Sequence, residues 1–302
     1  MRLLLVDGNY YVYRSFFAIR NLSNSRGEPT NAIYGFVKTL RRMLSDLRPD
    51  LGAVVWDDGL PERRTLLQPL YKQQRARMPE QMQPQLKYVH GLTPLLGLQG
   101  VRRANTEADD LMASYTEAAL GAKMDVVLAT NDKDLFQLVG DGVKVYSTAK
   151  ADLASPKDTF VLLGPESVEK KWGISPAGIG EVLSLVGDSV DNIPGVPGLG
   201  PKNAALLLRD FGGLESLLEK VEEVKNERMR EKLKAAREQI LQNREMVKLE
   251  TDLPLPAPLE SLNIRPRYPE LMKALEECEF KSLLDEIRNE AQGAGSFQKE
   301  LF

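Results

Sequence analysis

Short unbroken apolar runs recur along the first half of the chain, and most of them stop on a carboxylate. Arg2 to Val6 gives way to Asp7-Gly8, Leu51 to Trp56 to Asp57-Asp58, and Met124 to Ala129 to Thr130-Asn131-Asp132-Lys133-Asp134. Runs of this length without polar alternation read as strands buried on both faces. Leu98 to Arg103 and Gly142 to Tyr146 have similar character. Between them the spacing becomes helical: from Asn9 to Ile19, from Asn31 to Leu47 through Ile33, Phe36, Val37, Leu40 and Leu44, and from Leu111 to Leu120. Strands alternating with helices predict an α/β fold, a mostly parallel twisted sheet flanked by helices.

The pattern changes after residue 165, where helices are joined by glycine- and proline-rich turns. We expect a core over 1–165, a helical domain over 166–288 and a flexible tail over 289–302. The helical domain contains Gly187-Asp188-Ser189-Val190-Asp191-Asn192-Ile193-Pro194 and then Gly195-Val196-Pro197-Gly198-Leu199-Gly200-Pro201-Lys202, a tight hairpin opening a helix. Such a hairpin leaves backbone N–H groups free at a helix N-terminus, which suits a phosphate, although a purely structural helix-turn-helix has the same pattern.

The carboxylates are the unusual feature. In open parallel sheets, ligands bind beyond the carboxyl ends of the strands. Asp7, Asp57, Asp132 and Asp134 fall there, and Glu107-Ala108-Asp109-Asp110 follows the Leu98 to Arg103 run. Two like charges about 4 Å apart cost about 4 kcal/mol at an effective dielectric of ~20, so such a group needs a counterion, water or a proton. A plain reading of 107–110 is a helix start, with Thr106 as cap and acids favoured by the helix dipole. Recurrence of acids at the other strand ends argues for a shared role.

Composition narrows the chemistry. The 302 residues are 42% hydrophobic and 27% charged, ordinary for a globular protein, and no apolar run approaches a membrane span. A cytoplasmic location is expected, with no membrane partner and a monomer sufficient. One cysteine, Cys278, excludes an internal disulfide and a Cys-rich zinc site, and the single histidine, His90, leaves no basis for a Ser-His-Asp mechanism. The net charge of -3 conceals a balance: without nine clustered carboxylates, the 43 acids become outnumbered by the 40 Lys and Arg. A polyanion is therefore an admissible partner.

Oxygen ligands without soft partners select Mg²⁺ or Mn²⁺. Two such ions can activate water and stabilise the leaving oxygen of a phosphodiester. Arg14, Lys72 and Arg75 would neutralise the phosphate. The segment 61–91 carries Arg63, Arg64, Lys72, Arg75, Arg77 and Lys87 with Tyr71 and Tyr88 interleaved, suited to a single strand.

These words, in this order, resemble the 5′-nuclease family, which comprises the 5′-3′ exonuclease domain of bacterial DNA polymerase I, its stand-alone relatives and the flap endonucleases. They are Leu5-Val6-Asp7-Gly8 with Tyr13-Arg14-Ser15-Phe16, Ala32-Ile33-Tyr34-Gly35-Phe36, Val55-Trp56-Asp57, Tyr71-Lys72 with Arg75, Glu107-Ala108-Asp109-Asp110, Thr130 to Asp134, and Gly187 to Gly198. The resemblance implies a PIN-like, resolvase-like core. It gathers Asp7, Asp57, Glu107, Asp109 and Asp110 around one metal and Asp132, Asp134, Asp188 and Asp191 around a second. It places Lys72 and Arg75, with Tyr71, in a helical arch about residues 60–91. It makes Gly195, Gly198, Gly200 and Lys202 part of a helix-hairpin-helix (187–212) that grips duplex DNA and holds K⁺. Asn131 and Asn9 depart from the family pattern beside ligands.

The implied activity is a structure-specific 5′-3′ exonuclease and flap endonuclease acting on branched or flapped DNA, RNA-primer remnants included, in replication and repair, near the nucleoid. Gln298, Leu301 and Phe302 are similar to the Gln-x-x-Leu-Phe peptide that docks on the sliding clamp. A non-catalytic junction-binding module and an RNA-cleaving PIN-like nuclease are the alternatives. The nine carboxylates weigh against the first, the hairpin and arch against the second.

Overall fold

The computed structural model describes residues 1–147 and 160–299, with side chains up to 292. In chain order the strands are β1 Arg2–Asp7, β2 Leu51–Val55, β3 Gln99–Val101, β4 Asp125–Ala129, β5 Val143–Ser147 and β6 Val161–Leu163. The helices are α1 Gly8–Ala18, α2 Asn31–Leu47, α3 Glu62–Leu67, α4 Gln83–Leu92, α5 Ala108–Gly121, α6 Pro165–Trp172 and α7 Ile179–Val186. They continue as α8 Pro201–Phe211, α9 Leu214–Glu219, α10 Glu227–Ala235, α11 Arg237–Val247, α12 Tyr268–Glu277 and α13 Lys281–Lys299. No described helix is long and apolar enough to cross a membrane.

Contacts divide the chain into two compact units, one of residues 1–56, 77–102 and 256–302, the other of 57–76 and 103–255. In the first, β1 and β3 flank β2 in parallel, with Leu3 opposite Leu51, Asp7 opposite Val55 and Ala53 opposite Gln99. Leu3, Leu4, Leu5, Ala53, Val54 and Val55 are wholly buried, as uninterrupted apolar strands require. α2 follows its sequence pattern closely: Ile33, Phe36, Val37, Leu40 and Met43 are buried along one face. His90 packs against Trp56 with ring centroids 4.1 Å apart, and burial lowers its pKa, so it serves the core.

In the second unit, β4 and β5 run parallel with Val126 opposite Val143, and β6 pairs antiparallel to β5 with Val145 opposite Leu163. The mostly parallel character expected from the sequence therefore holds, and β6 is an addition. α7, almost wholly apolar, is the centre of the helical part and packs on α8 and α11. Buried Asn243 of α11 donates to the carbonyls of Ser184 and Pro194 at 3.0 and 2.7 Å. Those two bonds fasten α7 and the loop after it to α11.

Within 60–91, α3 and α4 are helical and residues 68–82 between them are turns and irregular chain, with Lys72 left-handed at φ 58°. At the other end, α13 runs to Lys299, although Gly293 and Gly295 each weaken a helix by about 1 kcal/mol. Buried Leu283, Leu284 and Ile287 nucleate it, and propagation adds one hydrogen bond per residue. Leu301 and Phe302 lie outside the described residues.

Candidate active site

The second unit gathers carboxylates from four distant stretches of sequence. α5 begins with Glu107 as its N-cap and carries Asp109 and Asp110 in its first turn. Asp57 accepts the Ala108 N–H at 2.8 Å, tying the segment after β2 to the start of α5. Glu107 and Asp110 are 3% and 0% exposed. Ions so deeply buried persist only when paired.

The partner is Arg64, itself 4% exposed. Its guanidinium donates to Asp110 at 2.5 and 2.8 Å, to Glu107, and to the carbonyl of Met246 at 2.9 Å. Burial opposes the charge, but Asp110 and Glu107 outweigh it and hold Arg64 firmly protonated. Glu107 also takes a proton donor from Tyr71 Oη at 3.1 Å and an ion pair from Lys72.

The second acidic group follows β4 and α7. Asp134 N–H donates to Asp132 Oδ1 at 2.9 Å, which folds 132–134 into a compact turn before a short 3₁₀ segment. Asp188 and Ile193 exchange backbone hydrogen bonds of 2.8 and 2.7 Å, closing a narrow loop that carries Asp188 and Asp191. Gly195 is obligatory there, since a Cβ would stand 1.9 Å from the Val186 carbonyl. Asp191 receives Arg75 at 2.6 Å, Lys72 at 3.6 Å and Tyr71 Oη at 3.4 Å, and Asp188 receives Lys133 at 3.0 Å.

Asp132 and Asp134 have no such ion pair among the described residues. Burial, then repulsion from neighbouring carboxylates, pushes Asp134 well above the ordinary carboxylate value; burial chiefly raises Asp132 as well. The donor set is thus all hard oxygen, and within the second group the ion pairs fall on Asp188 and Asp191, not on Asp132 or Asp134. That combination fits divalent cations. No three of these side chains form a ready metal cage among the described residues, and Arg64, Lys72, Arg75 and Lys133 are paired with Glu107, Asp191 and Asp188.

Two family models divide the chain between them. One described as 5′-3′ exonuclease, N-terminal resolvase-like domain, matches residues 2–173, and one described as 5′-3′ exonuclease, C-terminal SAM fold, matches 174–270. The chain belongs to the 5′-3′ exonuclease family. It is 36% identical to the 5′-3′ exonuclease of Aquifex aeolicus over 94% of both chains. It is 39% identical to the thermostable DNA polymerase I of Thermus thermophilus over 95% of its own length, spanning 33% of that protein. Its fold is similar to that of the bacteriophage T5 flap endonuclease in a pseudo-enzyme-product complex with DNA and metal ions (TM-score 0.66, 21% identity, 96% of this chain and 97% of that one).

In this family member the sequence-derived residues separate as follows. Asp57, Glu107, Asp109, Asp110, Asp132, Asp134, Asp188 and Asp191 lie in one unit, with Lys72 and Arg75 resting on them. Asp7 and Arg14 belong to the other unit, where Asp7 ends β1 and caps α1 by accepting the Tyr10 N–H at 2.9 Å. Tyr71 is 5% exposed, with its hydroxyl on Glu107. Asn131 accepts from Ser147 Oγ. In the hairpin, Gly198 is left-handed at φ 80°, Gly200 caps α8 and Lys202 is exposed. Arg64 and Lys133 were not singled out from sequence. Pro61, Arg64, Leu67 and Tyr71 recur at helical spacing on one inward side, a signal that would have separated Arg64 from its neighbour Arg63.

Proposed function

We propose that the chain is a structure-specific 5′ nuclease that hydrolyses DNA phosphodiesters at single-strand/duplex junctions with the help of divalent cations, Mg²⁺ or Mn²⁺. The carrying observation is the group of carboxylates in one unit with Lys72 and Arg75 lying directly on it. Asp57, Glu107, Asp109 and Asp110 would hold one cation; Asp132, Asp134, Asp188 and Asp191 would hold another. Bound there, such ions lower the pKa of water and offset charge on the phosphate.

The chain's own groups do the rest. Lys72 and Arg75 meet the scissile phosphate and neutralise charge on it. Arg64 and Tyr71 fix Glu107 and Asp110 in place. Gly195, Gly198, Gly200 and Lys202 hold the duplex backbone through the N–H groups at the start of α8, with K⁺ bound at the hairpin. The division of labour follows a nuclease core over 1–165 and a helical DNA-gripping domain over 166–288. The substrates are flaps and RNA-primer remnants, and the protein works as a monomer at the nucleoid, docked on the sliding clamp by Gln298, Leu301 and Phe302.

The test is cleavage of a 3′-labelled 5′-flap DNA in Mg²⁺, Mn²⁺ or EDTA, beside Asp134→Ala and a matched linear single strand. Cutting at the junction that requires metal and Asp134 supports the reading. Tight junction binding with no cutting in either metal would replace it with a binding module. Deleting the last six residues tests the tail separately: unchanged clamp affinity in a titration rejects that part alone.

A further inference from the structure

Beside the carboxylates, and within the same unit, lies a groove of about 620 Å³ whose chemistry is unlike its surroundings. None of its thirteen lining residues is charged, in a chain that is 27% charged. Its polar groups are amides, chiefly Gln68, Gln74, Gln239, Gln242 and Asn192, set between apolar surfaces such as Leu70.

The orientation of three of these amides is fixed by their partners. Gln68 Nε2 donates to the Asn192 carbonyl, Asn192 Nδ2 to the Leu70 carbonyl at 2.9 Å, and Gln242 Nε2 to the Leu67 carbonyl. A carbonyl can only accept, so the amide oxygens of Gln68, Asn192 and Gln242 are left over, with no protein donor among the described residues. Asn192 is held left-handed at φ 60°, a conformation that non-glycine residues adopt at some cost and that clusters at functional sites.

The groove is stitched to the carboxylate site. Asn192 directly follows Asp191, and the Lys72 N–H donates to the Asp191 carbonyl at 3.1 Å, so the walls and the phosphate-facing cations share one stretch of chain. With no Lys or Arg in its lining, the groove supplies no charge for a phosphate. A neutral ring between apolar walls, with acceptors along its edge, matches an unpaired nucleobase that carries an exocyclic amine.

We propose that this groove binds one unpaired base of the 5′ single strand, favouring adenine, cytosine or guanine over thymine through the acceptors of Gln68, Asn192 and Gln242. The proposal rests on the nuclease reading above and adds a base-contacting subsite to it. It follows that affinity for a flap depends on one particular nucleotide, not only on phosphate charge.

The experiment measures binding of 5′-flap DNA in EDTA and single-turnover cleavage in Mg²⁺, while each flap nucleotide in turn is adenine, thymine, unsubstituted purine or abasic. Wild type should lose about tenfold in affinity at one position on passing from adenine to abasic. Thymine and the amine-less purine should fall near the abasic value. Asn192→Gly, which relieves the left-handed residue, and Gln242→Met should each bind the adenine flap as weakly as wild type binds the abasic one, with no further loss when the base is removed. Insensitivity of wild type at every position, or undiminished sensitivity in both variants, overturns the groove while leaving the nuclease intact. Failure to bind or cut any flap overturns the nuclease reading itself.

Discussion

Two carboxylate pairs in one unit meet opposite electrostatic conditions. Glu107 and Asp110 are buried and neutralised: Arg64 spans both, and Lys72 and Tyr71 complete Glu107. Asp132 and Asp134 are crowded against each other and against Asp188 and Asp191, with no Lys or Arg ion-paired to either among the described residues, and both resist ionisation. Sequence places the pairs alike, each after an apolar run. The difference teaches that position after an apolar run does not decide ionisation: one pair is neutralised by the protein's own cations and the other is not.

The comparison breaks most sharply at Arg64. Arg64→Ala leaves two buried carboxylates uncompensated and should cost about 3–5 kcal/mol of stability, read by urea unfolding. A loss under about 1 kcal/mol would mean that water reaches the pair. At the other pair the cost should appear in catalysis: Asp134→Ala is expected to reduce single-turnover cleavage about 10²-fold or more, with junction binding nearly unchanged. Equal loss of binding would place Asp134 in the DNA grip instead.

Smaller effects sharpen the contrast. Mg²⁺ at 100 times its dissociation constant should stabilise wild type by about 2.7 kcal/mol in thermal unfolding, and less in Asp134→Asn. Arg75→Ala should slow flap cleavage by about tenfold on the proposal that Arg75, paired with Asp191 in the free protein, turns to the phosphate; an unchanged rate would remove it from the site. The pH response should be the smallest. Asp132 and Asp134 are raised from 3.8, so the metal-free native state holds protons that the unfolded chain releases. Its stability should therefore fall as pH rises past the ordinary carboxylate range, and Asp134→Asn should flatten that slope.

Much of this was legible in the sequence because it rests on periodicity and punctuation. β1, β2, β4 and α2 announce themselves through apolar runs or one-sided spacing, and the carboxylates through their positions after them. β6 was not legible, since Val161–Leu163 is a three-residue strand whose antiparallel pairing is decided by β5. The burial of Tyr71 was not legible either, because an aromatic beside Lys72 has the same pattern whether its ring stacks on a ligand or its hydroxyl turns inward to Glu107. Arg64 hid among six basic residues, its separate role being set by contacts to α5 and to the chain after α11. The extent of α13 escaped for the reason that glycine lowers helix stability without forbidding it.

The resting places of Lys72 and Arg75 have a consequence for how ligands cooperate. Lys72 lies on Glu107 and Arg75 on Asp191, so on the proposed reading a cation held by Glu107 would displace Lys72 and one held by Asp191 would displace Arg75. The displaced charges would then be available to a polyanion. Thermodynamic linkage is reciprocal: whatever metal adds to DNA affinity by releasing them, DNA must add to metal affinity. The two inorganic and organic ligands thus report on one another through a pair of side chains that neither needs to share.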